Sequence, residues 1–183
     1  MVKYVFTFFI LFFFYEAKSA DKDKIISNLQ KINNLSFTFE QNTNSKKEQG
    51  KCIIHYPKKI FCNYDTRNNK VLVSNGKSLV IKTDIGSYYL YPLDSTPLNL
   101  ILDKNFLLNQ IKNSNEKIID DKLVNFTLEK DELSIDIFFD RDSFNIIGWQ
   151  ILDIYQNIST TILSNIKTNQ KINDGIFKLP KRD

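Results

Sequence analysis

The chain has 183 residues, with 25 lysines and arginines against 21 aspartates and glutamates, a formal net charge of +4 at pH 7. A balance this small, mixed along the whole length, excludes the concentrated basic face of a nucleic-acid-binding protein. The length suits a single domain with one substantial apolar core.

The first residues read as an export signal. Lys3 precedes an apolar run, Val5 to Tyr15, broken only by Thr7, and Ala17-Lys18-Ser19 supplies small residues at the two positions a signal peptidase reads. The run falls well short of the roughly 20 residues a spanning helix needs. Cleavage is expected between Ser19 and Ala20, giving a leader over 1–19 and a mature domain over 20–183, with an uncleaved anchor as the alternative. No cysteine lies at the cleavage point, so the leader is not a lipoprotein signal. No stable membrane insertion of the mature chain is expected.

In chain order, the spacing of Ile25, Ile26, Leu29 and Ile32 predicts an amphipathic helix over 23–32. Leu35, Phe37 and Phe39 then alternate with Ser36, Thr38 and Glu40, the period of a half-buried strand. Residues 42–49 read as a polar loop. Lys51 to Tyr56 and Ile60 to Tyr64 form a hairpin around Pro57, and Val71 to Ser74 with Ser78 to Lys82 form another around Asn75-Gly76. Ser87 to Tyr91 is a further strand. Asn99 to Lys112 breaks the series as one or two short helices, apolar on more than one side. Strands resume at Lys117 to Ile119, Val124 to Leu128, Leu133 to Phe139, Ile146 to Ile154 and Thr160 to Lys167. Successive hairpins favour a mainly β chain in one strongly curled antiparallel sheet, an incomplete barrel. Pattern alone leaves a β-sandwich open.

Chemistry is hard to find. The single histidine, His55, sits in a predicted strand with no carboxylate or nucleophile at motif spacing, and no metalloprotease, nucleophile-elbow, Walker or dinucleotide motif occurs. No catalytic residue, metal or cofactor is expected. Cys52 and Cys62 stand symmetrically about Pro57, so a plain hairpin sets them opposite each other. An oxidising compartment permits a disulfide there, with two buried thiols as the alternative. The bulky apolar side chains either fill a core or line an apolar cavity.

Several segments in sequence resemble one family, the periplasmic carriers that take lipoproteins to the outer membrane (LolA-like). They are Phe37-Thr38-Phe39-Glu40-Gln41, Tyr56-Pro57-Lys58-Lys59-Ile60-Phe61, Val73-Ser74-Asn75-Gly76-Lys77-Ser78-Leu79, Thr96-Pro97-Leu98-Asn99-Leu100-Ile101-Leu102, the strand pair at Trp149 and Thr160 to Ile166, and Phe177-Lys178-Leu179-Pro180. Tyr56 replaces the arginine common before the hairpin proline, and Cys62 the aromatic common after it.

The resemblance implies an incomplete barrel with an N-terminal helix and a helical insert as a lid over a hydrophobic cavity. Residues expected to line the core or the acyl-chain cavity are Phe37, Phe39, Phe61, Leu107, Phe126, Phe138 and Trp149, although Phe138 and Phe139 cannot both point inward. Lid residues are Ile25, Leu29, Leu100, Phe106 and Ile111. The implied function is a monomeric periplasmic chaperone for acylated lipoproteins. It would receive them from an inner-membrane ATP-binding-cassette release complex (LolCDE-like) and pass them to an outer-membrane acceptor, LolB-like or another. A lipid- or lipoprotein-binding sensor is the alternative function, and a periplasmic lipid hydrolase a more distant one.

Overall fold

A computed structural model describes residues 20–44, 46–152 and 157–182. The leader lies outside these, as does the end of the strand expected to reach Ile154. Among the described residues no helix is long and apolar enough to cross a membrane.

The chain opens with α1 (Ala20–Lys31), whose buried Ile25 and Leu29 are one helical turn apart, with Ile32 buried just beyond its end. Six strands follow: β1 (Asn34–Thr43), β2 (Lys46–His55), β3 (Lys59–Tyr64), β4 (Val71–Asn75), β5 (Ser78–Lys82) and β6 (Tyr88–Pro92). A 3₁₀ turn, Leu93–Ser95, leads into α2 (Leu98–Leu102) and α3 (Lys104–Asn113). The break between these helices falls at Asp103, whose side chain accepts from the Phe106 N–H at 3.2 Å and caps α3. The remaining strands are β7 (Lys117–Ile119), β8 (Leu123–Lys130), β9 (Leu133–Asp140), β10 (Ile146–Leu152) and β11 (Ile158–Thr168).

All eleven strands join one antiparallel sheet in the order β6-β5-β4-β3-β2-β1-β11-β10-β9-β8-β7. The sandwich alternative is therefore set aside, and the sheet does not close, because β6 and β7 each have one neighbour. Only the β1–β11 pairing is remote in sequence. It joins two runs of consecutive hairpins, one on either side. The helical insert connects the two edge strands.

The segment read as a polar loop is instead mostly paired strand. β1 runs on to Thr43 and β2 starts at Lys46, with Asn42 opposite Lys47 and Gln41 opposite Glu48. Hydrogen bonding to a neighbour extends these strands beyond their apolar pattern. The predicted first helix likewise begins earlier, at Ala20.

Residues opposite one another across a ladder share a face, and this assigns the two sides of the sheet. One side, here the inner face, carries Leu35, Phe37 and Phe39, Cys52 and Ile54, Ile60 and Cys62, Leu72, Val124, Phe126, Leu128, Ile135, Ile137, Phe139 and Trp149. The buried side chains of α1, α2 and α3 complete this core. On the other face the C-terminal segment packs across β3 and β4. There Phe177 lies against His55, with ring centroids 5.8 Å apart, and is itself buried. Further along, Lys82 Nζ and the Tyr88 hydroxyl donate to the carbonyls of Lys181 and Pro180.

Candidate functional site

The inner face is an aromatic wall. Phe37 meets Trp149 edge to face at 6.2 Å, and Phe126 meets Phe139 in the same manner at 5.9 Å. Phe39 and Tyr64 flank Gly50 in register, their rings 4.9 Å apart. A β-carbon on Gly50 would lie 2.2 Å from the Asn63 carbonyl oxygen and 3.0 Å from the Phe39 ring, so only glycine lets β3 and the two rings close over this point. Beside it, Cys52 and Cys62 are directly opposed and joined by a disulfide, with Cα atoms 4.1 Å apart. Phe37 borders the bridge on one side and Leu72 on the other.

Of the residues expected to contact acyl chains, the structure brings Phe37, Phe39, Leu107, Phe126 and Trp149 together in this core. Phe61 and Phe138 are not among them. Phe61 lies opposite Ile53 and Val73, and Phe138 opposite Asn125 and Gly148, all on the other face. The cause is the two-residue period: Phe61 sits between inward-facing Ile60 and Cys62, and Phe138 between inward-facing Ile137 and Phe139. Of the expected lid residues, Ile25, Leu29, Leu100, Leu107's neighbour in the next turn Ile111, and half-buried Phe106 all pack on the core.

The helices meet the sheet through apolar side chains, while polar ties hold their ends. Lys104 Nζ donates to the carbonyls of Gln30 and Ile32, both at 2.8 Å, joining α3 to the end of α1. Lys58, in the β2–β3 turn, donates its N–H to the Leu102 carbonyl at 2.9 Å and pairs through Nζ with Asp103 at 3.1 Å. At the far end of α1, Lys22 Nζ reaches the Ser114 carbonyl at 2.5 Å, and Arg141 Nε donates to Asp21 at 2.7 Å. Burial favours the neutral Asp103 carboxyl, but the Phe106 N–H and Lys58 outweigh it and hold its pKa below the usual range. Burial lowers the pKa of Lys104. Among the described residues, the Tyr56 hydroxyl, Asn99 Oδ1 and Glu116 Oε2 are buried without a hydrogen-bond partner. Burial also pushes the Tyr56 hydroxyl far up its titration range, so it stays protonated.

Beyond the helices the inner face continues into an open groove of about 540 Å³, lined by Lys46, Glu48, Lys70, Ile81, Tyr89 and Tyr91 among others. Lys70 Nζ pairs with Glu48 at 2.8 Å and lies 3.9 Å from the centre of the Tyr64 ring. Burial works to raise the Glu48 pKa, but Lys70 and Lys46 overcome this and keep it low. Sequence reasoning passed over this groove. Its charged residues lie in the stretch read as loop and in turns, and only the paired register of β2 places Lys46 and Glu48 on the inner face. Among the described residues no group of three histidines, cysteines or acids stands together as a metal site.

The sequence matches the family described as "Outer membrane lipoprotein carrier protein LolA" over residues 30–180. A comparison with curated proteins returns no significant match. Among solved structures, an uncharacterized conserved protein from Thermus thermophilus aligns with a TM-score of 0.51 at 7% identity, covering 87% of this chain and 94% of that one. A LolA superfamily protein from Nitrosomonas europaea aligns with a TM-score of 0.45 at 8% identity, covering 88% and 99%. The lipoprotein LppX of Mycobacterium tuberculosis aligns with a TM-score of 0.42 at 12% identity, covering 83% and 95%.

Proposed function

Because the chain belongs to the outer membrane lipoprotein carrier family LolA, we propose that it binds the acyl chains of lipoproteins between its helices and its sheet and carries them through the periplasm. One observation carries the reading: a layer of three short helices covers an aromatic wall and is held at its ends by a few polar ties. With the helices down, side chains fill the space beneath them, since Leu100, Leu107, Phe126 and Phe139 have no exposed surface. Cargo therefore enters by displacing the helices, and the apolar surface they leave is what acyl chains cover. Each buried CH₂ contributes roughly 0.8 kcal/mol, so a chain can replace the helix side chains in contact with the wall.

The closed arrangement also leaves buried polar atoms unpaired, those of Tyr56 and Asn99 among them. Each such group costs about 1–3 kcal/mol, and lifting the helices into contact with water relieves it. That keeps closure from being too favourable and allows release as well as capture. A leader over 1–19 cleaved before Ala20 would free the carrier from the inner membrane. A release complex there would load it, and an outer-membrane acceptor would empty it.

Lys104 tests the gating. Lys104→Met keeps the aliphatic stem but removes both hydrogen bonds to the end of α1. Stability is expected to fall by roughly 1–3 kcal/mol, while the rate of capture of a triacylated lipopeptide rises. Stopped-flow capture measured beside urea unfolding checks this. A capture rate unchanged despite lost stability would mean that the helices do not gate the site.

A further inference from the structure

We propose that β6 is a docking edge for the peptide that follows an acylated residue, and that this peptide adds to the sheet as a twelfth strand. The inference rests on the acyl-carrier reading and names a second contact made by the same cargo.

The two edges of the sheet differ. β7 has three residues, carries Lys117 and is flanked by Glu116 and Asp120, a short and charged edge of the kind that resists further pairing. β6 is Tyr-Tyr-Leu-Tyr-Pro, without a charge, and Tyr89, Leu90 and Tyr91 are all exposed.

The register shows which of its backbone groups are free. The Leu93 N–H donates to the Lys77 carbonyl and the Thr83 N–H to the Ser87 carbonyl. Lys82 stands opposite Tyr88 and Val80 opposite Leu90. Hydrogen-bonded pairs alternate in an antiparallel ladder, so Tyr89 and Tyr91 bond to β5. Tyr88 and Leu90 therefore turn their N–H and C=O groups outward. Pro92, which has no N–H, occupies the next outward position, and its carbonyl already accepts from the Ser95 hydroxyl. Among the described residues, four adjacent groups on Tyr88 and Leu90 have no partner and remain to pair with a guest.

The same strand leads into the groove. Tyr89 and Tyr91 point to the inner face, opposite Ile81 and Leu79, and help line the 540 Å³ opening. A guest paired with β6 sends alternate side chains to the same two faces. An acylated residue on the inner side directs its chain past Tyr89 and Ile81 toward the aromatic wall, and the next residue lies beside Leu90. One strand thus offers a ladder for an extended backbone and a wall for a lipid chain, the two parts of an N-acylated peptide. This is strand addition coupled to a side-chain pocket.

The test measures binding of three probes to the full mature chain: palmitic acid, a pentapeptide of alternating serine and valine, and the same peptide N-palmitoylated. Leu90→Pro deletes an outward N–H without breaking a bond to β5, and Leu90→Thr alters the side chain but keeps the N–H. The palmitoylated peptide is expected to bind wild type about tenfold more tightly than palmitic acid, the worth of one or two hydrogen bonds. Leu90→Pro is expected to erase that gain with palmitic acid unaffected, and Leu90→Thr to retain it. N-methylating alternate amides of the probe is expected to give the same loss on the unaltered protein, which removes any question of misfolding. Equal affinity for methylated and unmethylated probes would overturn the edge while leaving the carrier reading intact. No binding of palmitic acid or its peptide to wild type would overturn both. Self-association of the ligand-free chain in sedimentation, abolished by Leu90→Pro, would assign the edge to a second copy and overturn the peptide.

Discussion

Gly50→Ala is expected to destabilise the fold by roughly 3 kcal/mol, the upper end for inserting one carbon into a filled core. An alanine in an ordinary strand conformation would normally be neutral or better, since it narrows the unfolded ensemble. Here the added carbon meets backbone on one side, the Asn63 oxygen at 2.2 Å and the Tyr64 Cα at 2.9 Å, and a ring on the other. Backbone in the β2–β3 ladder cannot yield without losing its hydrogen bonds. The Phe39 ring, 3.0 Å from the added carbon and packed on Tyr64, must also shift. Urea unfolding checks the prediction through a lower midpoint at unchanged slope. A change below about 0.5 kcal/mol, the range of an ordinary surface substitution, would show that β2 and β3 are not so close.

Removing the Cys52–Cys62 bridge is the second large effect. The double replacement Cys52→Ala with Cys62→Ala is expected to cost about 2–4 kcal/mol, toward the lower end because the bridged residues are only 10 apart in sequence. Both cysteines are buried beside Phe37 and Leu72, so the change also leaves space in the wall. Comparing the double variant with wild type under oxidising and reducing conditions isolates the bridge. Reductant is expected to lower the wild-type unfolding midpoint and leave the variant unmoved. A reductant-insensitive wild type of the variant's stability would mean that the two sulfurs are not bonded in solution.

These two positions also show what could be read before the fold was known. The symmetry of Cys52 and Cys62 about Pro57 is a local property of one hairpin, and so is the alternation of Leu35, Phe37 and Phe39. Local periodicity was enough to indicate many strands and a helical break. It was not enough to orient Phe61 and Phe138, because adjacent strand residues face opposite ways and both neighbours of each are apolar. Opposing Cys52 to Cys62 already implies that Phe61 points away from them, a constraint present in the sequence. The residue pairing β1 with β11 had no local signal at all, since Phe39 and Leu163 meet only where the two runs of hairpins join. The same holds for the ties from Lys104 to the end of α1 and for the groove, whose charged lining resembles any solvated turn until the register puts Glu48 and Lys70 side by side.

In the carrier reading, acyl chains lie against the inner face beneath the helices. The chain has one tryptophan, Trp149, and it is buried on that face against Phe37. A lipopeptide whose acyl chains carry bromine, a contact-range quencher of indole fluorescence, therefore reports on the site without any change to the protein. Titrating it against its unbrominated twin is expected to quench Trp149 in proportion to the bound fraction, with the unbrominated lipopeptide binding equally and quenching little. Equal binding of both with Trp149 emission unchanged would place the chains away from the inner face.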